Sequence, residues 1–330
     1  MKEAKYWKPR NDGRIACLLC PHVCKLNDGD TGICNARKRE GDKLFTLNYG
    51  KITSIGMDPI EKKPLYHFHP GSQILSAGTF GCNFKCPFCQ NADISQTQPP
   101  YLREISPEAM VATAKKNESV GIAFTYNEPV IWMEFIRETA GLARQQNLKT
   151  VVVSNGYVNP EPLQDLLPLL DAANIDIKSI DESFYRKHCK ARLQPVLETC
   201  VKMKDAGIHL EITNLVIPGE NDSPENFAGL RDWVFEHLGP ETPVHLSAYH
   251  PCYKFGAPPT TMDTMERAYG TVKEKMHYVY LGNVWTKDGS DTKCLNCGST
   301  LVERSGYHIQ VTGLSDANCT SCGTPAPFVV

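Results

Sequence analysis

Short apolar runs alternate with amphipathic segments through the middle of the chain. The runs are rich in β-branched residues and too short to be helices, so they predict buried strands. They occupy positions 72–78, 120–126, 149–155, 173–179, 208–217, 243–250 and 278–284. The segments between them carry apolar side chains at helical spacing, such as Ile131 and Phe135 after Pro129. One of these segments starts at Ser106-Pro107, a predicted N-cap followed by proline in the first turn.

Alternating strands and helices predict an α/β fold whose parallel strands are joined by right-handed crossovers. The chain offers six or seven strand–helix units, too few for a closed eightfold barrel. An open doubly wound sheet and a partial barrel give the same alternation. In each of these architectures the functional site lies at the carboxyl ends of the strands, so the residues that end each strand are the informative ones.

Polar and chemically reactive side chains stand at these predicted strand ends. They are Cys82 after the first strand, Asn127 and Glu128 after the second, Asn155 after the third, Asp176 and Lys178 on the fourth and His250 after the sixth. Asp176 and Lys178 alternate along one strand and therefore face the same side. Because an unpaired charge in a barrel interior is costly, these two residues are predicted to be paired or functional.

Overall charge narrows the function classes. The 330 residues carry a formal net charge of -2, which provides no basic field for non-specific phosphate binding, so nucleic acid is not an expected partner. The charged N-terminal stretch lacks an apolar leader core, and no run of about 18 apolar residues occurs, so no membrane association is expected. We predict a cytoplasmic protein.

The 14 cysteines indicate metal or redox-cofactor ligation, because clustered cysteines in a cytoplasmic protein seldom form disulfides. Three clusters hold 11 of them: Cys17, Cys20, Cys24 and Cys34; Cys82, Cys86 and Cys89; and Cys294, Cys297, Cys319 and Cys322. The clusters divide the chain into a cysteine-rich N-terminal segment (1–57), a central barrel (58–285) and a four-cysteine C-terminal domain (286–330). Cys189 and Cys200 are predicted to be small buried hydrophobes, and Cys252 is left open.

The central cluster offers three thiolates and no nearby fourth ligand. Thiolates favour soft metals, and a 4Fe-4S cluster takes one ligand per iron, so three cysteines leave one iron open for a substrate or cofactor. The alternative is a zinc site completed by a remote histidine such as His67 or His69. The CxxxCxxC spacing at the end of the first predicted strand favours the cluster.

The stretch Cys82-x3-Cys86-x-Phe88-Cys89 resembles the signature of radical S-adenosylmethionine (radical SAM) enzymes, including the aromatic residue before the last cysteine. The resemblance implies a partial (β/α)6 barrel and a 4Fe-4S cluster whose open iron binds S-adenosylmethionine. In that superfamily, reduction of the cluster cleaves S-adenosylmethionine to methionine and a 5'-deoxyadenosyl radical, while the protein supplies binding and orientation. A one-electron donor such as flavodoxin or ferredoxin is implied as a partner.

Further motifs resemble the activating enzymes of glycyl-radical enzymes, the pyruvate formate-lyase activase group. In chain order they are GCNFKCPFCQN, FTYNEP, SNGY, DIK, NLVIPGEND and YHP. The run 58–68, with LCPHVC near the start and YVYLGNV before the last cysteines, is similar to the branch called AmmeMemoRadiSam-system radical SAM proteins. That branch occurs beside AMMECR1-like and MEMO-like proteins, which are therefore candidate partners, and it implies no particular substrate.

The resemblance implies cofactor contacts at a set of named positions. They are Phe88, Asn127, Glu128, Asn155, Asp176, Lys178 and His250. Glu128 or Asn127 would hold the amino group of S-adenosylmethionine, although the two glycines of the family's motif are absent here. Asn155 would approach the ribose, Asp176 would lie near the carboxylate and Lys178 would approach the cofactor. Without the resemblance, Asn127 would cap the next helix and Asn155 would form an ordinary turn with the glycine after it.

The two outer cysteine clusters each offer four ligands, which is typical of closed structural sites. The C-terminal four, Cys294 to Cys322, have the CxxC…CxxC spacing of a zinc ribbon, with a rubredoxin-like iron as the alternative. This segment is too small for an independent core, so the metal would supply its folding energy. The N-terminal four, Cys17 to Cys34, fit zinc or a second, fully ligated iron–sulfur cluster, and zinc is preferred.

Three functions follow from these patterns. The first is a radical enzyme that abstracts hydrogen from an unidentified substrate, and the second is an activase that abstracts it from a protein glycine. The third, a non-catalytic zinc scaffold, does not explain an open three-cysteine site surrounded by polar strand ends. Candidate substrate contacts, which could equally be solvated loop residues, are Glu61, Lys62, Lys63, His67, His69, Arg192 and Tyr253, and the segments 67–71 and 253–259 are candidate lids.

Overall fold

The computed structural model of the chain describes residues 1–97, 99, 101–286 and 289–330. Its centre is an eight-stranded sheet in which an antiparallel edge strand is followed by parallel strands. The strands are Ser54–Pro59 at the antiparallel edge, then Gln73–Gly78, Gly121–Phe124, Lys149–Ser154, Ala172–Asp176, His209–Val216, Val244–Ala248 and Val279–Gly282. Each parallel strand lies beside the next one in the chain, so the strand order does not reverse.

This topology is that of a partial barrel. A doubly wound sheet would reverse its order at a switch point, and a closed barrel would leave no free edge. Within the described residues, Val279–Gly282 pairs with Val244–Ala248 alone, so the barrel stays open. The predicted α/β partial barrel is confirmed, and every predicted apolar run overlaps one of the parallel strands.

Helices connect consecutive parallel strands. The longer ones are Pro107–Lys116, Met133–Gln145, Pro160–Leu166, Gln194–Asp205, Pro224–Leu238 and Met262–Lys273, and the short helical segments are Ile60–Lys62, Ala92–Ser95, Pro129–Trp132, Leu167–Leu169, Glu182–Phe184 and Tyr185–Cys189. Ser106 accepts a hydrogen bond from Ala109 N, which confirms the predicted N-cap. Such caps satisfy N–H groups that the first helical turn leaves unpaired. No helix in the described part of the chain combines the length and the apolar character that a bilayer crossing requires.

The N-terminal segment is built from short antiparallel strands. They are Lys2–Glu3, Trp7–Pro9, Ile15–Cys17, Lys25–Leu26, Arg37–Glu40, Lys43–Thr46 and Lys51–Ile52, the last paired with Arg103–Glu104. Ile15, Leu19 and Leu44 belong to the same apolar cluster as the barrel strands and helices. The segment therefore shares the core of the barrel, and the strand Ser54–Pro59 spans the predicted boundary between residues 57 and 58.

The C-terminal domain has a small core of its own, built on Leu301, Val302 and Phe328. Its strands are Thr292–Lys293, Thr300–Ser305, His308–Val311, Leu314–Ser315 and Asn318–Cys319. The ring of His67 stacks on Phe328 with 4.2 Å between centroids, and the guanidinium of Arg304 lies over the ring of Tyr66. These contacts hold the domain against the chain segment that precedes the first parallel strand.

Candidate active site

A cavity of about 560 Å³ opens at the carboxyl ends of the parallel strands, where α/β barrels place their sites. Nine of the ten predicted cluster ligands and cofactor contacts line it: Cys82, Cys86, Phe88, Cys89, Asn127, Glu128, Asn155, Asp176 and Lys178. Its volume falls within the range of small-molecule sites. Side chains from four successive strand ends therefore meet around one space.

The cysteine loop starts at Gly81, which packs against the N-terminal segment. Gly81 has a φ of 92°, and a Cβ atom at this position would lie 2.3 Å from the carbonyl oxygen of Cys34. Only glycine fits this conformation and this contact. Asn127 secures the same loop from the second strand end, since it accepts a hydrogen bond from Thr79 N at 3.0 Å and donates one to Gly81 O at 2.8 Å.

The three thiols of this loop fit a multi-iron cluster better than one ion. Burial raises the pKa of Cys82 and Cys89, and the pKa of Cys86 is raised by its contact with Cys189, whose sulfur lies 3.7 Å away, together with burial. In the described part of the chain, the three sulfur atoms do not all lie within 4.8 Å of one another, whereas the ligand atoms of a single ion would. A 4Fe-4S cluster spans more widely spaced thiolates and supplies the positive charge that buried thiolates need.

Asn155 ties the third strand end to the cysteine loop. Its Nδ2 donates to Asn83 Oδ1 at 2.9 Å and lies 3.7 Å from Cys82 Sγ. Asn83 in turn donates to Tyr157 O at 2.8 Å, so the loop is held from two sides. Asn83 was not predicted as a site residue, although its place directly after Cys82 was a usable signal.

Glu128 is fully buried and joins the second and third strand ends. Its Oε1 accepts hydrogen bonds from Val130 N at 2.9 Å and Ser154 Oγ at 2.7 Å, and its Oε2 accepts one from Asn155 N at 2.8 Å. A carboxylate offers about four acceptor sites, so one site on Oε2 remains. Burial raises the pKa of Glu128 to about 7, although the three donors act against it. Glu128 also caps the short helix Pro129–Trp132, which corrects the alternative in which Asn127 was the cap.

Asp176 and Lys178 form an ion pair on the wall of the cavity. Lys178 Nζ lies 3.1 Å from Asp176 Oδ2, and both side chains are half-buried. Burial disfavours the charge of Lys178, but Asp176 and the thiols of Cys86 and Cys189 outweigh it and raise the pKa of Lys178. The site therefore keeps a permanent ammonium group beside the cysteine loop.

His250 is the predicted cofactor contact that the structure leaves outside the cavity. The strand Val244–Ala248 ends just before it, and Tyr249 turns inward and is fully buried. Because neighbouring side chains of an extended chain face opposite sides, His250 points outward and is exposed.

Phe88 lines the cavity from an aromatic cluster. Its ring lies 5.7 Å from that of Phe255 and 5.9 Å from that of Phe184, and its carbonyl oxygen accepts a hydrogen bond from Cys252 Sγ at 3.2 Å. Cys252 is half-buried and is connected to the cysteine loop by this hydrogen bond. The other two isolated cysteines, at positions 189 and 200, are fully buried, as predicted.

Another part of the cavity wall is formed by Lys62, Lys63 and Tyr126, which are held together from behind by Asp58. Asp58 accepts hydrogen bonds from Lys62 Nζ at 2.8 Å, Lys63 Nζ at 2.7 Å and the Tyr126 hydroxyl at 2.6 Å. Burial opposes the charge of Asp58, but these donors outweigh it and lower the pKa of Asp58. Tyr307, from the hairpin of the C-terminal domain, lines the same cavity. Asp58, Tyr126 and Tyr307 were not predicted as site residues, and only the run of charges from 58 to 63 could have signalled the first.

The other residues of the predicted substrate run lie away from the cavity. Glu61 accepts a hydrogen bond from Gly71 N at 2.8 Å, and His67 is buried with Nε2 2.6 Å from the Tyr280 hydroxyl. In the described part of the chain neither these two nor His69, Arg192 and Tyr253 line the cavity. A zinc site formed by the central cysteines with His67 or His69 therefore has no support.

The C-terminal cysteines have the geometry of a single-metal site. All four thiols lie within 4.8 Å of one another, with sulfur–sulfur distances of 3.6 Å for Cys294 and Cys322 and 3.7 Å for Cys297 and Cys319. Four sulfurs at about 2.3 Å from one tetrahedral zinc would be separated by about 3.8 Å. This cluster could therefore bind a zinc ion.

The chain combines an open parallel barrel with three separated thiols at the mouth of a polar cavity. This arrangement is the one expected of an enzyme whose iron–sulfur cluster leaves one iron open. The family model of the Radical SAM superfamily matches residues 77–230. The chain is similar to Uncharacterized protein MJ0808 of Methanocaldococcus jannaschii, with 41% identity over 337 residues and all of both chains covered. It is also similar to Pyruvate formate-lyase 1-activating enzyme of Escherichia coli, with 23% identity over 217 residues, 60% of this chain and 88% of that protein.

A solved structure shows the same fold. A radical SAM methyltransferase from Sphaerobacter thermophilus superposes with a TM-score of 0.52 and 16% identity, covering 65% of this chain and 67% of the other. Residues 77–230 therefore form a domain of the radical SAM superfamily, and the chain is related to the activating enzymes of glycyl-radical enzymes. Its family uses a 4Fe-4S cluster and S-adenosylmethionine as cofactors.

Proposed function

We propose that this chain reductively cleaves S-adenosylmethionine at a 4Fe-4S cluster held by Cys82, Cys86 and Cys89, and abstracts hydrogen from a substrate in the adjoining cavity. Together the cluster and S-adenosylmethionine would supply a 5'-deoxyadenosyl radical. One observation carries the proposal: three cysteine thiols, of which Cys86 is buried and the other two are half-buried, lie at the edge of a cavity lined by polar strand ends. The required electron would come from a donor of the flavodoxin or ferredoxin class.

The cavity residues supply complementary groups for S-adenosylmethionine. Glu128 would accept the cofactor's ammonium group at the free site on Oε2, while its other acceptor sites stay fixed by Ser154 and Asn155. Lys178 would attract the carboxylate, and Asp176 would hold the lysine in place. Because all three charged groups are fixed before binding, the ordering cost of binding is low.

The wall around Asp58 would receive the substrate. Lys62 and Lys63 carry two positive charges and Asp58 one negative charge, so this wall keeps an excess of one positive charge. The Tyr126 ring and Tyr307 add apolar surface with hydroxyl groups. An anionic or strongly polar group on the substrate fits this combination.

The decisive experiment measures cofactor cleavage. Protein reconstituted anaerobically with iron and sulfide should convert S-adenosylmethionine to 5'-deoxyadenosine and methionine when dithionite is added. The variant Cys86→Ala should form none, while Cys200→Ala, which removes another buried thiol outside the cavity, should keep the activity. An intact cluster in the wild-type protein without any 5'-deoxyadenosine would refute the proposal.

Glycyl-radical activation is the second candidate and rests on the similarity to Pyruvate formate-lyase 1-activating enzyme. In this chain Tyr307 and the lysines stand on the cavity wall, which favours a compact substrate over an extended peptide loop. Escherichia coli pyruvate formate-lyase is a suitable probe. Mixing it with the reduced chain and S-adenosylmethionine should give no glycyl radical by electron paramagnetic resonance (EPR), whereas a glycyl doublet would favour the activase.

A further inference from the structure

The N-terminal cysteines form a site that the proposed reaction does not use. Cys17, Cys20 and Cys34 are buried and Cys24 is half-buried. Charges on the thiols of Cys17, Cys24 and Cys34 all act on Cys20, so the four thiols lie near one another. Gly32 lies at the edge of this space, since a Cβ atom there would be 3.7 Å from Cys24 Sγ and 3.8 Å from Cys34 Sγ.

The spacing of these thiols differs from that of the C-terminal four. In the described residues, no three of the N-terminal thiols lie within 4.8 Å of one another, whereas all four C-terminal thiols do. One tetrahedral zinc would hold its sulfurs about 3.8 Å apart. The same chain thus contains one four-cysteine site of single-ion size and one that is wider.

We propose that Cys17, Cys20, Cys24 and Cys34 hold a second iron–sulfur cluster and not a zinc ion. An iron–sulfur cluster uses four cysteine thiolates, one for each iron in the four-iron form, and spreads them around a larger core than a single ion does. Sequence spacing alone preferred zinc, and the separation of the thiols reverses that preference.

The surroundings of the site suit a buried, charged cluster. Arg37 is fully buried, and its charge interacts with the thiols of Cys17 and Cys34. Its Nη2 pairs with Glu134 at 2.7 Å and its Nη1 donates to Lys5 O at 3.0 Å, but its Nε has no partner in the described residues. An unpaired buried N–H group is costly, and the sulfurs of a bound cluster are acceptors that would satisfy it.

Backbone groups also lie close to the site. Burial raises the pKa of the Cys17, Cys20 and Cys34 thiols, and the backbone N–H groups of Leu19, His22 and Ala36 act against this rise. Hydrogen bonds to cluster sulfurs, net charge and solvent exposure are the properties that set the potential of an iron–sulfur cluster. The chain therefore supplies a largely buried shell that contains one guanidinium group, paired with Glu134, and nearby backbone N–H groups.

The site also touches the loop of the first cluster. The Cys34 carbonyl packs on Gly81, which precedes Cys82, and His22 Nε2 donates to Asn83 O at 2.7 Å. These contacts place the N-terminal thiols on the outside of the loop that carries the central cysteines. A redox-active group held there would lie next to the cluster at which we propose that electrons are consumed.

The test is the metal content of a variant that cannot bind the central cluster. The triple variant Cys82→Ala, Cys86→Ala and Cys89→Ala, purified anaerobically and reconstituted with iron and sulfide, should retain equimolar iron and acid-labile sulfide, about four of each per chain in the four-iron form. After reduction it should give an iron–sulfur EPR signal that S-adenosylmethionine does not change. Two zinc ions per chain and no iron would overturn the proposal.

Matched variants in the same background locate the iron. Cys20→Ser should abolish the iron and sulfide, while Cys200→Ser should leave both unchanged. If Cys20→Ser does not fold, the wild-type protein provides the test. It should show two reduced iron–sulfur signals, of which S-adenosylmethionine perturbs one, and a single signal would overturn the proposal. None of these readouts depends on cofactor cleavage, so the proposed reaction can fail while this site stands.

Discussion

At the scale of single residues, Glu128 sets the pH range in which the cavity can hold an ammonium group. Its folded-state pKa is raised to about 7 by burial, so the carboxylate form dominates above pH 7 and is lost below it. S-adenosylmethionine should therefore bind more weakly as pH falls from 8 to 6, approaching a tenfold loss per pH unit below about pH 7. Equilibrium dialysis of the reconstituted protein against labelled S-adenosylmethionine measures this.

The variant Glu128→Gln separates this effect from the titration of the ligand itself. It keeps the side-chain size but cannot ionise, so binding should be weaker than wild type at pH 8 and should change little between pH 6 and 8. Equal pH profiles for the two proteins would exclude Glu128 as the group that holds the ammonium.

Cys189 is a second residue with a defined expected effect. Its sulfur lies 3.7 Å from Cys86 Sγ, and once Cys86 is a cluster ligand the Cys189 S–H can donate to it. Hydrogen bonds to ligand sulfurs stabilise the more negative, reduced cluster. Cys189→Ala should lower the reduction potential, by about 40 mV for a loss of about 1 kcal/mol. An EPR-monitored redox titration measures the change, with Cys200→Ala as the control, and an unchanged potential would mean that the thiol only fills space.

The site residues that could be predicted are those whose chemical type and spacing form a recognisable motif in the sequence. Cys82, Cys86 and Cys89 lie within eight positions of the chain, so their spacing alone signalled a cluster. The contact between Asp58 and Tyr126 was not predictable, because the two residues are 68 positions apart and meet only in the folded chain. Whether a side chain reaches the cavity depends on how distant parts of the chain fold around it, and a sequence motif does not contain this information.

At the scale of elements, a buried ion pair joins the N-terminal segment to the barrel. Arg37, on the strand Arg37–Glu40, pairs with Glu134 on the helix Met133–Gln145, and both side chains are almost completely buried. Glu134→Ala would leave the guanidinium buried without its carboxylate, which costs about 3–5 kcal/mol. The urea midpoint of anaerobic unfolding, followed by circular dichroism, should fall accordingly.

Glu138 on the same helix provides the control for this prediction. It pairs with Lys2, and both side chains are well exposed to solvent. An exposed ion pair contributes at most about 1 kcal/mol, so Glu138→Ala should shift the midpoint much less than Glu134→Ala. Equal shifts would mean that burial of the Arg37 pair does not govern the attachment.

The parallel strands were more predictable from the sequence than the antiparallel strand at the edge of the sheet. The apolar runs located the parallel strands, because a strand buried in a parallel sheet needs apolar side chains on both faces. The antiparallel strand Ser54–Pro59 escaped notice, since its burial is mostly partial and its pattern is mixed. Its pairing with Gln73–Gly78 is determined by the neighbouring strand and not by its own composition.

At the scale of the whole molecule, a buried carboxylate organises the region under the C-terminal domain. Glu211 is fully buried and accepts hydrogen bonds from the backbone N–H groups of Tyr66 and His67, with His209 and His245 as further partners. Hydrogen bonds and charge from the two histidines outweigh burial and hold the pKa of Glu211 well below its usual range. The partners in this hydrogen-bond network lie between positions 66 and 245. No local sequence pattern predicts it, because each partner by itself resembles an ordinary polar residue.

The C-terminal domain links metal binding to the shape of the cavity, because Tyr307 on its hairpin lines the cavity wall. Because its apolar core is small, we expect the domain to need a metal at the four cysteines in order to stay folded. The double variant Cys297→Ser and Cys322→Ser replaces two exposed ligands, so the loss of zinc should be its main effect. Residues 290–330 should then become sensitive to trypsin, while the barrel keeps its iron and its helical circular dichroism.

The variant Tyr307→Ala distinguishes unfolding from the loss of one side chain. It should keep its zinc and its resistance to trypsin, yet share with the double variant any change in substrate-dependent turnover, since both remove the same piece of cavity wall. A protease-resistant domain after zinc loss would show that docking on His67 and Tyr66 is sufficient to fold it. In that case the metal would contribute to local geometry and not to the folding of the domain.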